Sequence, residues 1–185
     1  MSNGESSYRR YVSGDDEGIV EIIRDYKDGL IFYLNSIVKN IETAEEICED
    51  TFVKIAVKKP HFKGNSSFKT FLYAIGRNCA FDYLKKHSRN ENISIDDCGE
   101  ISSNEETFEN SYIKEERRIA VHRALQQLKA EYAQVLWLTY FEELSNRETA
   151  KIMHKTEHAV TTLCYRARLA MKQILEKEGF EYEEL

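Results

Sequence analysis

Between Phe68 and Arg89 the chain reads FKTFLYAIGRNCAFDYLKKHSR, and Lys69, Tyr73, Arg77, Asn78, Lys85, Lys86 and Arg89 are interleaved in it. Rings, cations and an amide in one stretch are what holding a single nucleic-acid strand requires. Cations follow the phosphates, rings stack on unpaired bases, and amides read base edges. Phe68, Phe71, Leu72, Ile75, Cys79 and Leu84 recur at helical spacing, which predicts a helix with one face in a core and the strand-holding side chains on the others. An ordinary amphipathic helix with a solvated basic face would read the same way. Just upstream, PHFKGNSS over 60–67 combines a ring, a cation, a glycine and a polar run. That composition suits a base-capturing pocket and a plain interhelical turn equally.

The second concentration of polar chemistry is near the C-terminus. Ser145 and Glu148 form a capping box ahead of a short helix over 146–153, and Thr156 can cap a longer one running to about Leu175. Two helices joined by a tight turn, the second carrying Thr161, Thr162, Tyr165, Arg166 and Arg168, fit a helix-turn-helix whose second helix reads duplex DNA. An αα-hairpin in a bundle shares the spacing. His154 and His158 are four apart but straddle the turn and lack a third ligand, so they are read as structural or DNA-facing. No glycine-rich phosphate loop, nucleophile–base pair or metal cluster stands out. The expectation is a chain with no catalytic residue, no cofactor, no metal and no small-molecule substrate.

The formal net charge of −6 argues against nucleic acid until it is divided along the chain. Residues 1–87 hold 13 basic and 13 acidic side chains, and residues 113–185 hold 12 of each. Residues 88–112 carry one Arg against seven acids and so supply the whole imbalance. This segment has few apolar residues and no period, and reads as a flexible linker between two helical domains. Within the first domain, Glu42, Glu45, Glu46, Glu49 and Asp50 cluster without a cation, whereas Lys54 to Lys86 holds eight basic residues and one acid. Adjacent surfaces of opposite sign suggest two partners of opposite charge.

The elements that position these groups are all helical. A single proline and 42% hydrophobic residues favour packed helices, and no run is apolar enough to span a bilayer. The N-terminus has no signal-peptide pattern, and the four cysteines form no C-x-x-C pair, as expected of reduced thiols in the cytoplasm. Glu17 to Lys39 predicts one long helix. A second follows in which Thr43 and Glu46 form a capping box, Ile47, Phe52, Ile55 and Ala56 point inward, and Pro60 stops the run. Ser66 or Ser67 caps the strand-holding helix. Helices over about 111–127 and 131–141 precede the helix-turn-helix.

With these motifs in order, the chain resembles a bacterial extracytoplasmic-function (group IV) sigma factor of the sigma-70 superfamily over nearly its whole length. The acid-rich helix ending in Asp50-Thr51-Phe52, the Phe62-Lys63-Gly64 loop and the F-x-x-F-L-x-x-I-x-x-N helix are similar to the family's polymerase-binding and promoter-melting domain. L-S-x-x-E-x-A from Leu144 and V-x-x-x-x-x-R-A-R from Val160 are similar to its upstream-element domain. The resemblance implies an all-α chain: a region 2-like domain over 1–87, an acidic flexible linker over 88–112, and a region 4-like helix-turn-helix domain over 113–185. It implies no enzyme activity but a promoter-specificity subunit of RNA polymerase. The alternative from the residues alone is a helix-turn-helix regulator acting on duplex DNA without polymerase.

Carried over position by position, the resemblance puts Glu46, Glu49 and Asp50 on the core polymerase, at its β′ coiled coil, with the β flap as a further contact. Phe62, Lys63, Gly64, Asn65 and Ser66 fall on the loop that captures a flipped base, with Tyr73, Arg77 and Asn78 on the helix beside that strand. Thr161, Thr162, Tyr165 and Arg166 face the upstream element, and Arg168 clamps phosphate. The resemblance also implies promoter DNA and a cognate anti-sigma factor as partners, the latter able to hold a cytoplasmic protein at the membrane. Five positions depart from the family pattern. Phe71 replaces a frequent Trp, Lys129 a frequent Pro and His154 a turn Gly, while Thr161 and Leu163 stand where basic residues are common. The linker's 25 residues reach about 80 Å when extended. That spans two promoter elements roughly 70 Å apart. Its acids suit an RNA mimic in a basic channel or an inert tether.

Overall fold

The computed structural model describes residues 3–88 and 112–179, and all regular structure among them is helical. Four helices precede the undescribed stretch: α1 (Asn3–Val12), α2 (Glu17–Val38), α3 (Ile41–Lys58) and α4 (Phe68–Ser88). Four follow it: α5 (Tyr112–Gln127), α6 (Ala130–Leu136), α7 (Asn146–Met153) and α8 (Glu157–Lys177), with α6 running into a π-helical turn, Trp137–Phe141. The linker expected over 88–112 lies, apart from its two end residues, outside the described residues. Its flexibility and the RNA-mimic reading are untouched by the structure.

In the N-terminal unit α2 is the central helix, packed on α1, α3 and α4. Ile22, Leu30, Leu34, Ile55, Phe68 and Leu72 are fully or almost fully buried there. Truncating one of them to Ala removes a well-packed side chain and should cost about 2–5 kcal/mol. α2 and α3 meet in a tighter turn than the sequence predicts. Lys39 ends α2 in the left-handed region, and Asn40, in extended conformation, already caps α3 by accepting a hydrogen bond from the Thr43 N–H at 2.8 Å. The Thr43 capping box is therefore corrected: Asn40 supplies the cap three residues earlier, so Thr43 is the donor rather than the acceptor. Lys59 closes α3, also left-handed, and Pro60 follows it, where a proline bars further helix.

The helix α1 is absent from the sequence-based expectation. It lies against α2 so closely that a Cβ on Gly18 would strike the Ser7 backbone carbonyl. Tyr8 donates to the Pro60 carbonyl at 2.6 Å and Tyr11 to the Ala56 carbonyl at 2.9 Å, which ties α1 to the end of α3. Burial pushes the Tyr8 hydroxyl up to about 12. Arg10 bridges Asp15 and Glu21 across the α1–α2 turn. The alternation of Tyr8 and Tyr11 with Glu5 and Arg9, themselves ion-paired at 2.7 Å, was the available signal for this helix.

Candidate nucleic-acid interface

On α3, helical spacing puts Ile47, Phe52 and Ile55 into the core and leaves Glu42, Glu45, Glu46, Glu49 and Asp50 exposed on the opposite side. Among the described residues no ion pair reaches Glu46, Glu49 or Asp50. An unneutralised carboxylate face of this kind repels itself and is best satisfied by an external cationic surface. Cys48, on the buried side of the same helix, has its thiol pushed up to about 12 by burial and so behaves as a core residue.

The loop after α3 is anchored by its ring. Phe62 packs on Phe68 and Phe71, with centroids 5.9 and 5.2 Å away, while Lys63, Gly64 and Asn65 are exposed and Ser66 is half-buried. Gly64 has φ +72°, a conformation that side chains rarely adopt, so the turn that presents Lys63 and Asn65 depends on glycine. Of the two candidate caps for α4, Ser67 is the one used: its Oγ accepts from the Thr70 N–H at 3.2 Å.

The strand-holding face of α4 is only partly where the sequence put it. Asn78 is exposed, and Arg77 is half-buried with its guanidinium 4.3 Å over the Phe81 ring. Tyr73 must be corrected. It is fully buried rather than on an open face, with its ring 5.3 Å from that of Tyr33 and its hydroxyl among the buried groups that make no hydrogen bond of good geometry. Burial, then the nearby Glu142 carboxylate, pushes that hydroxyl's pKa far up. The sequence treated α4 as covered on one side. In the fold α2 and α3 cover one side, with Tyr73 against Tyr33 and Gly76 against Leu30 and Leu34, and α7 covers another, where Thr70 meets Glu148.

The helix-turn-helix forms as its caps dictate. Ser145 accepts from the Glu148 N–H while Glu148 Oε2 accepts from the Ser145 N–H, the full capping box of α7. His154 closes α7 at φ 54°, and Thr156 caps α8 through the Ala159 N–H at 3.1 Å. A non-glycine residue at such a φ is uncommon, and His is among the types enriched there. Val160 and Ala167 face inward. Thr161, Tyr165, Arg166 and Arg168 are exposed and Thr162 is half-buried, so the polar face of α8 is open. Lys129, in place of a proline, holds φ −54°, a value that a proline would also adopt.

The two units then meet across polar side chains that sequence reasoning did not assign together. Lys69 on α4 pairs with Glu142 Oε2 at 2.6 Å and also donates to the Glu142 carbonyl at 3.1 Å. The other Glu142 oxygen accepts from the Trp137 indole at 3.1 Å. Glu148 Oε1, the oxygen turned away from the capping box, accepts from Ser67 at 2.8 Å and Thr70 at 3.2 Å. Lys151 donates to the Asn65 carbonyl at 2.7 Å, Arg77 to Gln134 at 3.4 Å, and His154 Nε2 lies 3.4 Å from Asn78 Oδ1. Lys39 reaches the Leu125 carbonyl at 3.1 Å, and burial pushes its pKa down to about 8. Burial raises the Glu148 carboxyl, but hydrogen bonds from Ser67, Ser145 and Thr70 together outweigh that and hold it below the usual range. Glu148 was legible as a cap. Glu142 was not, because the π-turn between it and Trp137 breaks the 3.6-residue period that would have assigned it a face.

Comparison with known proteins matches this architecture in both halves. Residues 22–90 match the family Sigma-70 region 2, and residues 118–171 match Sigma-70, region 4. The chain is 29% identical over 172 residues to the RNA polymerase sigma factor YlaC of Bacillus subtilis, covering 89% of this chain and 96% of that protein. It is 27% identical over 160 residues to the ECF RNA polymerase sigma factor SigM of the same organism, covering 84% and 94%. Among solved structures, CnrH in complex with the cytosolic domain of CnrY superposes with a TM-score of 0.67 at 18% identity, covering 95% of this chain and 99% of that one. RpoE of Bartonella quintana, in complex with the anti-sigma factor NepR, gives 0.66 at 19% identity, covering 84% and 95%. The chain belongs to the sigma-70 family, as a sigma factor of the extracytoplasmic-function kind. The stand-alone helix-turn-helix regulator is set aside, since such a protein has no use for region 2.

Proposed function

We propose that the exposed carboxylates Glu46, Glu49 and Asp50 of α3 dock this sigma factor on core RNA polymerase, at the β′ coiled coil. The region 4-like unit adds a contact to the β flap. The loop residues Phe62, Lys63, Asn65 and Ser66, with Arg77 and Asn78 of α4, hold the unpaired strand of the downstream promoter element, while the buried Tyr73 supports α4 from the core. Thr161, Thr162, Tyr165 and Arg166 read the upstream element in the major groove, and Arg168 holds its backbone. The division at 1–87, 88–112 and 113–185 separates these tasks. The chain performs no chemistry itself; RNA synthesis belongs to the polymerase. Its place of action is the cytoplasm, and no described helix is long and apolar enough to cross a membrane. An anti-sigma factor is proposed as a further partner, because the similar RpoE structure is a complex with the anti-sigma factor NepR.

The observation that carries this reading is the pairing, on one small unit, of an unneutralised acidic helix face with a cationic, aromatic helix beside it. A duplex-binding regulator needs the second feature at most. Transcription in vitro with core polymerase and a library of genomic fragments tests it. Promoter-specific transcripts that require this chain support the assignment, and their absence overturns it.

A further inference from the structure

The loop over 60–67 leaves α3 at a point where the backbone is one donor short. In a continuing helix the N–H of residue 60 would serve the Ala56 carbonyl, and Pro60 has no N–H. The Tyr11 hydroxyl of α1 supplies that hydrogen bond at 2.9 Å. Tyr8 then serves the carbonyl of Pro60 itself at 2.6 Å, and the Lys59 ammonium lies 4.5 Å over the Tyr11 ring. The departure from α3 is therefore held by α1 at Ala56, Lys59 and Pro60.

The return of the loop into α4 rests on the same helix. The Tyr8 ring lies 5.2 Å from Phe68 and 6.1 Å from Phe71, the two rings on which Phe62 also packs. A Cβ on Gly4 would strike the Tyr26 hydroxyl and the Phe68 ring, so α1 approaches the start of α4 closely. Tyr8 is 2% exposed and touches both ends of the loop, one through its hydroxyl and the other through its ring. α1 is fixed in turn to α2, where Ser7 Oγ donates to Glu21 Oε2 at 2.6 Å beside the Arg10 bridge to the same carboxylate. Contacts from the C-terminal unit reach Asn65 and Ser67, whereas the departure from α3 is held by α1.

We infer that α1 is a positioning element for base capture and Tyr8 its principal positioning residue; the inference rests on the reading of 60–67 as the loop that captures a flipped base. The region 2 match begins at residue 22, so α1 lies outside the segment that matches the family. Lys63, Gly64 and Asn65 are exposed and belong to no helix, so their placement comes from the ends of the loop. A loop ordered before the strand arrives loses none of its binding energy to ordering. Polar groups held within a fraction of an ångström also discriminate between bases, where loosely held ones accept several. Tyr8 accordingly governs both how fast the downstream element opens and which base is preferred there. The α3 carboxylates stay exposed with α1 in place, and polymerase docking does not depend on it.

The test uses the full-length chain with core polymerase, on a promoter fragment recovered from the genomic library and on versions of it randomised across the downstream element. Tyr8→Phe removes the hydroxyl and keeps the ring, and Tyr11→Phe does the same at the Ala56 contact. Ile37→Val loosens the core at the opposite end of α2 from the Gly18 contact with α1, and controls for lost stability alone. Thermal unfolding, competition for core polymerase, closed-complex affinity, permanganate reactivity of downstream thymines over time and base preference are read on each. Tyr8→Phe should slow opening about tenfold and flatten base preference about fivefold, with core competition and closed-complex affinity within about twofold of wild type. Tyr11→Phe should show a smaller loss of the same kind, and Ile37→Val should open the promoter at the wild-type rate despite unfolding at a lower temperature. Wild-type opening and base preference in Tyr8→Phe overturn the inference, as does weakened core competition in that variant. An equal loss of opening in Ile37→Val also overturns it, because α1 would then be a structural support only. Asn65→Ala separates this inference from the reading beneath it. Wild-type opening in Asn65→Ala removes base capture by the loop and the role of α1 together. Impaired opening in Asn65→Ala with normal opening in Tyr8→Phe keeps base capture and removes only the role of α1.

Discussion

α3 and α4 are neighbours of opposite charge, and the fold treats them oppositely. The carboxylates of α3 face outward with no described cation against them, whereas Lys69 and Arg77 of α4 are engaged by Glu142 and Gln134 of the C-terminal unit. The difference follows what each surface would need under the proposed assignment. A face that meets a folded protein partner can stand open, because charge complementarity accelerates the encounter without requiring rearrangement. A face that binds unpaired bases is useful only after strands separate, and until then its rings and cations would gather any single strand nearby.

The largest effect should come from treating Tyr73 as a core residue. Tyr73→Ala removes a fully buried ring packed on Tyr33 and should cost about 3–5 kcal/mol of stability, read by thermal unfolding. Tyr73→Phe removes only a hydroxyl without a well-formed hydrogen bond and should change stability by less than about 1 kcal/mol. Equal losses in the two variants would return Tyr73 to a polar, functional role.

Charge reversal at Glu49 and Asp50 addresses the open side of the comparison. Losing two charge-assisted contacts should weaken core-polymerase binding by about 2–4 kcal/mol, with thermal unfolding near wild type because both side chains are exposed. A double variant that competes for core polymerase as well as wild type would mean that α3 is not the docking face. Tyr165→Ala should cost roughly 1–3 kcal/mol of discrimination at the upstream element and leave polymerase binding intact. A selection on randomised elements checks this, and an unchanged consensus would remove α8 from base reading.

The smallest expected effect is a pH dependence. The Glu148 carboxyl sits below its ordinary range in the folded chain, so its contribution is present above that range and is lost as pH falls through the lowered folded value. Acidification should therefore release α7 from Ser67 and Thr70 and shift Trp137 emission to the red. In Glu148→Gln that component should be missing; an identical acid profile in the variant would assign the transition to other carboxylates.

By itself the sequence determined the helices and their caps. Ser145 with Glu148, Thr156 and Ser67 act where they were placed, because a capping hydrogen bond is made within three residues and needs no tertiary partner. The open faces of α3 and α8 were legible for a related reason, since a helix of known period with one apolar stripe leaves its other side to solvent. Even locally there were limits: Asn40 displaced Thr43 as a cap once Lys39 had ended α2, and α1 was too short and polar for its two tyrosines to stand out. Only the tertiary structure decided which cations and rings of α4 are free. That depends on a second cover contributed by residues about 80 positions away, from Glu142 on Lys69 to Glu148 on Ser67. Such pairings leave no local period, because a periodic pattern records one buried face per helix and α4 has two.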